Sequence, residues 1–125
     1  MGIGTFGIVA ALTAAGTAVG VLGATAPPGA AGATAHVVVV HHGEFVPAEI
    51  TVAPGDTVRW RHDDAGDPHS ITADDGSFDS HPDCSATAPE RCMQAGETYE
   101  RTFPSLGRFP YHSRTEGQRG VVVVR

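Results

Sequence analysis

Glu49-Ile50-Thr51-Val52-Ala53-Pro54-Gly55-Asp56-Thr57-Val58-Arg59-Trp60-Arg61 reads as a strand, a tight turn and a second strand. Residues 49–53 form the first strand, and Pro54, with Gly55 beside it, presets the backbone for a turn. From Thr57 onward apolar and polar residues alternate, so Val58 and Trp60 share one face of a half-buried strand.

Outward from this unit the same grammar holds. His36–Val40 is a β-branched run, Ser70–Ala73 a short strand, and Arg108–His112 and Gly120–Arg125 are further strands. Glu97–Phe103 alternates, with Tyr99, Arg101 and Phe103 on one side. Residues 62–70 contain Gly66 and Pro68 and predict a loop ending at His69. Residues 74–96 mix Gly, Pro, Asp and both cysteines without a period and predict a long surface loop. Strands at roughly eight- to twelve-residue spacing, with Gly and Pro between them, predict an all-β sandwich or small barrel.

The first 35 residues differ in kind: none of the 14 acidic and 8 basic residues falls there. An apolar run from Ile3 to about Leu22 precedes Ala24-Thr25-Ala26 and Ala33-Thr34-Ala35. Residues 1–35 are therefore expected to be a signal peptide cleaved after Ala26 or Ala35, or, uncleaved, a weak membrane anchor lacking the usual basic start. Export to the cell envelope, periplasm or extracellular space follows. Residues 36–125 form one domain of about 90 residues, with a thin core that buries little more than about 60% of its unfolded surface. In an exported chain the two cysteines, Cys84 and Cys92, are expected to pair, a staple of roughly 2–3 kcal/mol for so short a loop.

Net charge is −6, every basic residue is Arg, and no basic cluster exists, which argues against nucleic acid as a partner. The acids at Asp63, Asp64, Asp67, Asp74, Asp75, Asp79 and Asp83 read as a solvated loop face, or as a docking surface for an unidentified basic protein. Ser113, His112 and Glu116 hold triad letters, but neighbours on one strand do not give triad geometry, so no enzyme is predicted.

The order Phe45-x-Pro47-x-x-Ile50-x-Val52-x-x-Gly55-Asp56-Thr57-Val58-x-Trp60 resembles the opening of the plastocyanin-like cupredoxins. Gly96-Glu97-Thr98-Tyr99, then Thr102-Phe103, Gly107, Phe109 and Tyr111, looks like the family's penultimate strands, and Gly120–Val124 like its last. The resemblance covers nearly all of residues 36–125. It implies a Greek-key β-sandwich, a copper ion and a role in electron transfer.

The resemblance also assigns ligand positions. His69 stands where the family's first copper-ligand histidine lies. The other ligands belong to the loop between the last two strands: Cys, His three residues later, then Met. Here that loop reads Tyr111-His112-Ser113-Arg114-Thr115-Glu116-Gly117-Gln118-Arg119-Gly120. Ser113 takes the Cys position, Glu116 the His position, and Gln118 is the remaining oxygen donor where Met is missing. A blue-copper centre depends on a thiolate in a His₂Cys set, which a protonated serine hydroxyl cannot replace. Copper binding is therefore expected to be weak or absent. The alternative expectation is a tetragonal, type-2-like N/O site at His69 and Glu116. His112 should face away from Ser113, and His41 and His42, as strand neighbours, should point to opposite faces. Cleavage after Ala35 would free the His36 amine and imidazole to chelate Cu(II).

Overall fold

The computed structural model describes residues 32–125, so the expected export segment up to residue 31 lies outside the described residues. Eight strands follow in order: β1 (Ala35–His41), β2 (Glu44–Val46), β3 (Glu49–Val52), β4 (Asp56–His62), β5 (Thr72–Ala73), β6 (Thr98–Phe103), β7 (Gly107–His112) and β8 (Arg119–Val124). They form two four-stranded sheets, ordered β2-β1-β4-β6 and β3-β8-β7-β5. Within the first sheet β1 and β4 run parallel, and within the second β3 and β8 do; every other pairing is antiparallel.

The Ala53–Asp56 turn folds as its sequence predicts. Asp56 N–H donates to Ala53 O at 3.0 Å, and Gly55 takes φ 94°, a value only glycine adopts freely. The turn sends β3 and β4 into opposite sheets. Alternation on β4 then buries Asp56, Val58, Trp60 and His62 and exposes Arg59 and Arg61. Trp60 is fully buried at the centre of an aromatic cluster, its ring 5.3 Å from Tyr111, 5.9 Å from Phe78 and 5.8 Å from Tyr99. Val38, Val40, Phe45, Ile71, Phe103 and Val122 complete the core, each contributing about 1.5–3 kcal/mol on burial. Gly120 is required by proximity: a Cβ there would lie 2.4 Å from the Tyr111 ring across the β7–β8 pair.

Three expectations need correction. Residues 74–96 are not only a surface loop, because Phe78, Cys84, Cys92 and Met93 are buried, and Pro89–Arg91 forms a 3₁₀ turn. The loop folds back so that Met93 pairs with His69 as an isolated antiparallel bridge. Strand β2 escaped the sequence reading, since three residues are too few to show a period. The acidic run is not simply solvated either: Asp64, Asp74, Asp75 and Asp79 all accept hydrogen bonds within the fold. Cys84 and Cys92 are joined, with an S–S distance of 2.03 Å. Among the described residues no helix is long and apolar enough to cross a membrane.

Candidate metal centre

One end of the sandwich gathers the loop 62–70, the loop 113–118 and the 69–93 bridge. His69 sits there with its side chain fully buried. Its Nε2 faces the Asp64 carboxylate at 3.3 Å. A carboxylate only accepts, so Nε2 carries the proton and Nδ1 keeps the lone pair. That lone pair points into the 113–118 loop, where Gln118 Nε2–H donates to it at 2.7 Å. The other end of the same amide, Oε1, is buried without a partner among the described residues.

Ser113 is also buried. Its Oγ accepts the Ser70 N–H at 3.2 Å and lies 3.0 Å from Thr115 Oγ1, which itself donates to Pro68 O at 2.9 Å. Thr115 has spent its proton on Pro68, so Ser113 donates to Thr115. The Ser113 hydroxyl is thereby satisfied as both donor and acceptor. Two ion pairs fasten the flanks of the loop: Arg114 to Asp79 at 2.5 Å, and Arg119 to Asp74. His112 points the other way, as strand alternation predicts, and bonds Asp74 at 2.6 Å.

The structure brings His69, Ser113 and Gln118 into one locale, with Glu116 across Gly43 from the Asp64 carboxylate. Glu116 is exposed, makes no hydrogen bond or ion pair among the described residues, and lies beside Gly43. No hydrogen bond joins Glu116 to His69 among the described residues. Among the described residues no group of three or more His, Cys, Asp or Glu side chains is placed to hold a metal ion.

His62 belongs to this site and was read from sequence only as part of a loop. It ends β4, is buried, and its ring lies 4.8 Å from that of His69. Its Nε2–H donates to Asp67 O, while Nδ1 accepts the Asp64 N–H at 3.1 Å, which fixes one neutral tautomer. Burial accordingly pushes the His62 pKa below its ordinary value. The signal was present in the alternation of β4, which extends one step beyond Arg61. Asp64 is held below the ordinary carboxylate value, because bonds from His69 and the Gly43 N–H outweigh the upward push of burial.

Residues 34–124 match the family of copper binding proteins described as plastocyanin/azurin. The chain belongs to that family. It is 31% identical over 79 residues to a chloroplastic plastocyanin of Tetradesmus obliquus, covering 62% of this chain and 54% of that protein. A minor plastocyanin isoform of Arabidopsis thaliana is 32% identical over 81 residues, covering 62% and 47%. The chain thus spans about half the length of these curated relatives. Among solved structures, an oxidised amicyanin variant superposes with a TM-score of 0.59 at 26% identity, over 73% of this chain and 82% of that one. A purple cupredoxin from Nitrosopumilus maritimus gives a TM-score of 0.55 at 22% identity, over 72% and 99%, a likeness of fold.

Membership in a copper-binding family raises the question of fit, and the donor chemistry answers it. A blue-copper ion needs a thiolate beside its histidines. Both cysteines of this cupredoxin-fold chain are consumed in a disulfide, and the thiolate position carries a saturated hydroxyl. The one buried histidine lone pair that faces the site is already bonded to Gln118. The residues present do not fit a blue-copper ion.

Proposed function

We propose that this protein is an exported cupredoxin whose blue-copper centre has been replaced by a polar hydrogen-bonded plug, and that it works as a binding or structural module of the cell envelope or extracellular space. It is neither an enzyme nor a rapid electron carrier. The observation that carries this reading is the Gln118 amide, which donates to His69 Nδ1 where a metal would have to accept the same lone pair. The satisfied Ser113 hydroxyl supports it. The partner is expected to be a protein. Nucleic acid is disfavoured by the net charge of −6 and the scattered arginines, and membrane association would require the N-terminal segment to stay attached.

The test is Cu(II) added to the oxidised protein, with the visible spectrum and the His69 ring resonances recorded together. The expected result is no intense thiolate-to-copper band and an unmoved His69. An intense band would overturn the proposal and restore electron transfer as the function, and displacement of the His69 signals at one equivalent without that band would overturn it in favour of a nitrogen–oxygen copper site.

A further inference from the structure

The seven histidines divide into two groups by what their rings touch. Five are engaged by side chains or by buried backbone: His36 with Asp56, His62 with Asp64 and Asp67, His69 with Asp64 and Gln118, His81 with Ser80 and Glu97, and His112 with Asp74. His36 Nε2–H donates to the Asp56 carboxylate at 2.9 Å. The remaining two, His41 and His42, are exposed and lie against each other, with ring centroids 3.9 Å apart and planes tilted by 59°.

This contact corrects the expectation that neighbouring strand residues face apart. β1 ends at His41, and His42 and Gly43 form a two-residue hairpin loop to Glu44, with φ of 50° and 74°. Positive φ at both central positions is the type I′ arrangement, and it turns the His42 ring back toward His41.

The chemistry of the pair suits a metal. His41 Nδ1 lies 2.9 Å from Asp63 O. A carbonyl only accepts, so Nδ1 carries the proton and the exposed Nε2 keeps its lone pair. A ring nitrogen tethered to a carbonyl, leaving its partner free, is the usual outer support of a metal-bound histidine. The His42 imidazole makes no hydrogen bond among the described residues, so it is free to turn. Two carboxylates border the loop: Asp64 accepts the Gly43 N–H at 3.0 Å, and Glu116 Oε1 comes within 3.4 Å of where a Gly43 Cβ would be. Their charge, with that of the exposed Glu44 at the loop's end, favours a cation there.

We infer that the His41–His42 hairpin tip is a surface site for a divalent transition metal, Cu(II) first, bound by two imidazoles with water completing the coordination. Imidazole with oxygen donors suits tetragonal Cu(II), and Cu(II) heads the affinity order of the divalent first-row ions. No third protein ligand joins them among the described residues. The site is therefore open and exchangeable, distinct from the plugged position at His69, and it stands whether or not the proposed function does.

The experiment is a Cu(II) titration of the full protein by calorimetry and electron paramagnetic resonance, with paramagnetic broadening of the histidine ring signals followed by NMR. One equivalent is expected to give a tetragonal nitrogen–oxygen signal and to broaden His41 and His42 first. His41→Gln and His42→Gln, both at exposed positions, should each weaken binding by about tenfold or more, the scale on which even outer support matters. Broadening centred on any other histidine, or affinity unchanged in both variants, would overturn the inference. So would the absence of stoichiometric binding in the unaltered protein. A blue thiolate band would count against the proposed function alone, unchanged affinity in both variants against this inference alone, and broadening centred on His69 against both.

Discussion

The β3–β4 unit and the 113–119 loop are built on opposite principles. In the first, the inward face is mostly apolar, with Val52, Val58 and Trp60 in the core, and its carboxylate is paired, Asp56 accepting from Thr34, Ala53 and His36. In the second, the buried residues are polar and bond to neighbouring side chains and backbone, with Gln118 Oε1 left over among the described residues. The comparison teaches that this chain's own side chains are placed to hold the loop at the family's ligand positions. Two ion pairs and a chain of hydroxyl and amide bonds can do so.

The contrast can be broken first at Trp60. Replacing it with Ala should cost about 3–5 kcal/mol in chemical denaturation, enough to unfold a marginal domain. Glu116→Ala, in the exposed part of the other region, should stay within about 0.5 kcal/mol. Equal losses at the two positions would mean that the loop, not the β3–β4 unit, carries the fold. Reduction of Cys84–Cys92, or the paired Cys→Ala variant, comes next. The link closes a separation of 8 residues, so about 2–3 kcal/mol should be lost, and with it the packing of Met93 against the site. A folded, reduced protein with unchanged midpoint would show the 74–96 segment to be held by its core contacts alone.

Gln118→Ala sharpens the comparison at a smaller scale. It leaves the buried His69 Nδ1 without a donor, at about 1–3 kcal/mol. An unchanged denaturation midpoint would show that the cap contributes nothing. The smallest effect is a slope with pH. His62 is neutral in the fold with its pKa below the ordinary 6.5. The unfolded chain therefore takes up the proton first, and stability falls as pH drops through about 6.5 toward the lowered folded value. His62→Asn should flatten that part of a thermal-stability profile, and an identical slope in the variant would remove His62 from the account.

Much of this was legible from residues alone, and the boundary is physical. The Pro54-Gly55 turn, the Trp60 face and the Val-rich β8 follow from local periods and turn chemistry, so their strands stood out. Ser113 and His69 are marked by the resemblance to the plastocyanin-like cupredoxins, which assigns ligand positions within the order of strands. What sequence could not show is pairing between distant polar side chains. Nothing in the letters says that Gln118, rather than Glu116, reaches His69, because the choice depends on how the short loop turns at Gly117 (φ 74°). The His41–His42 contact was misjudged for the same reason: a single left-handed residue cancels the alternation rule. His62 was within reach and was missed by ending the strand one residue early.

The parallel pairing of β3 with β8 bears on how such a chain is made. All four strands of the first sheet lie before residue 104, so that sheet can close while the rest is still emerging from a ribosome or translocon. β3, although synthesised early, has β8 as its only sheet neighbour among the described residues and waits for residues 121–124 to arrive. Until then one wall of the sandwich is open and its valines are wet. The final strand is thus the latch of vectorial folding, and a nascent chain stalled short of it would present an aggregation-prone edge to whatever quality-control machinery it meets.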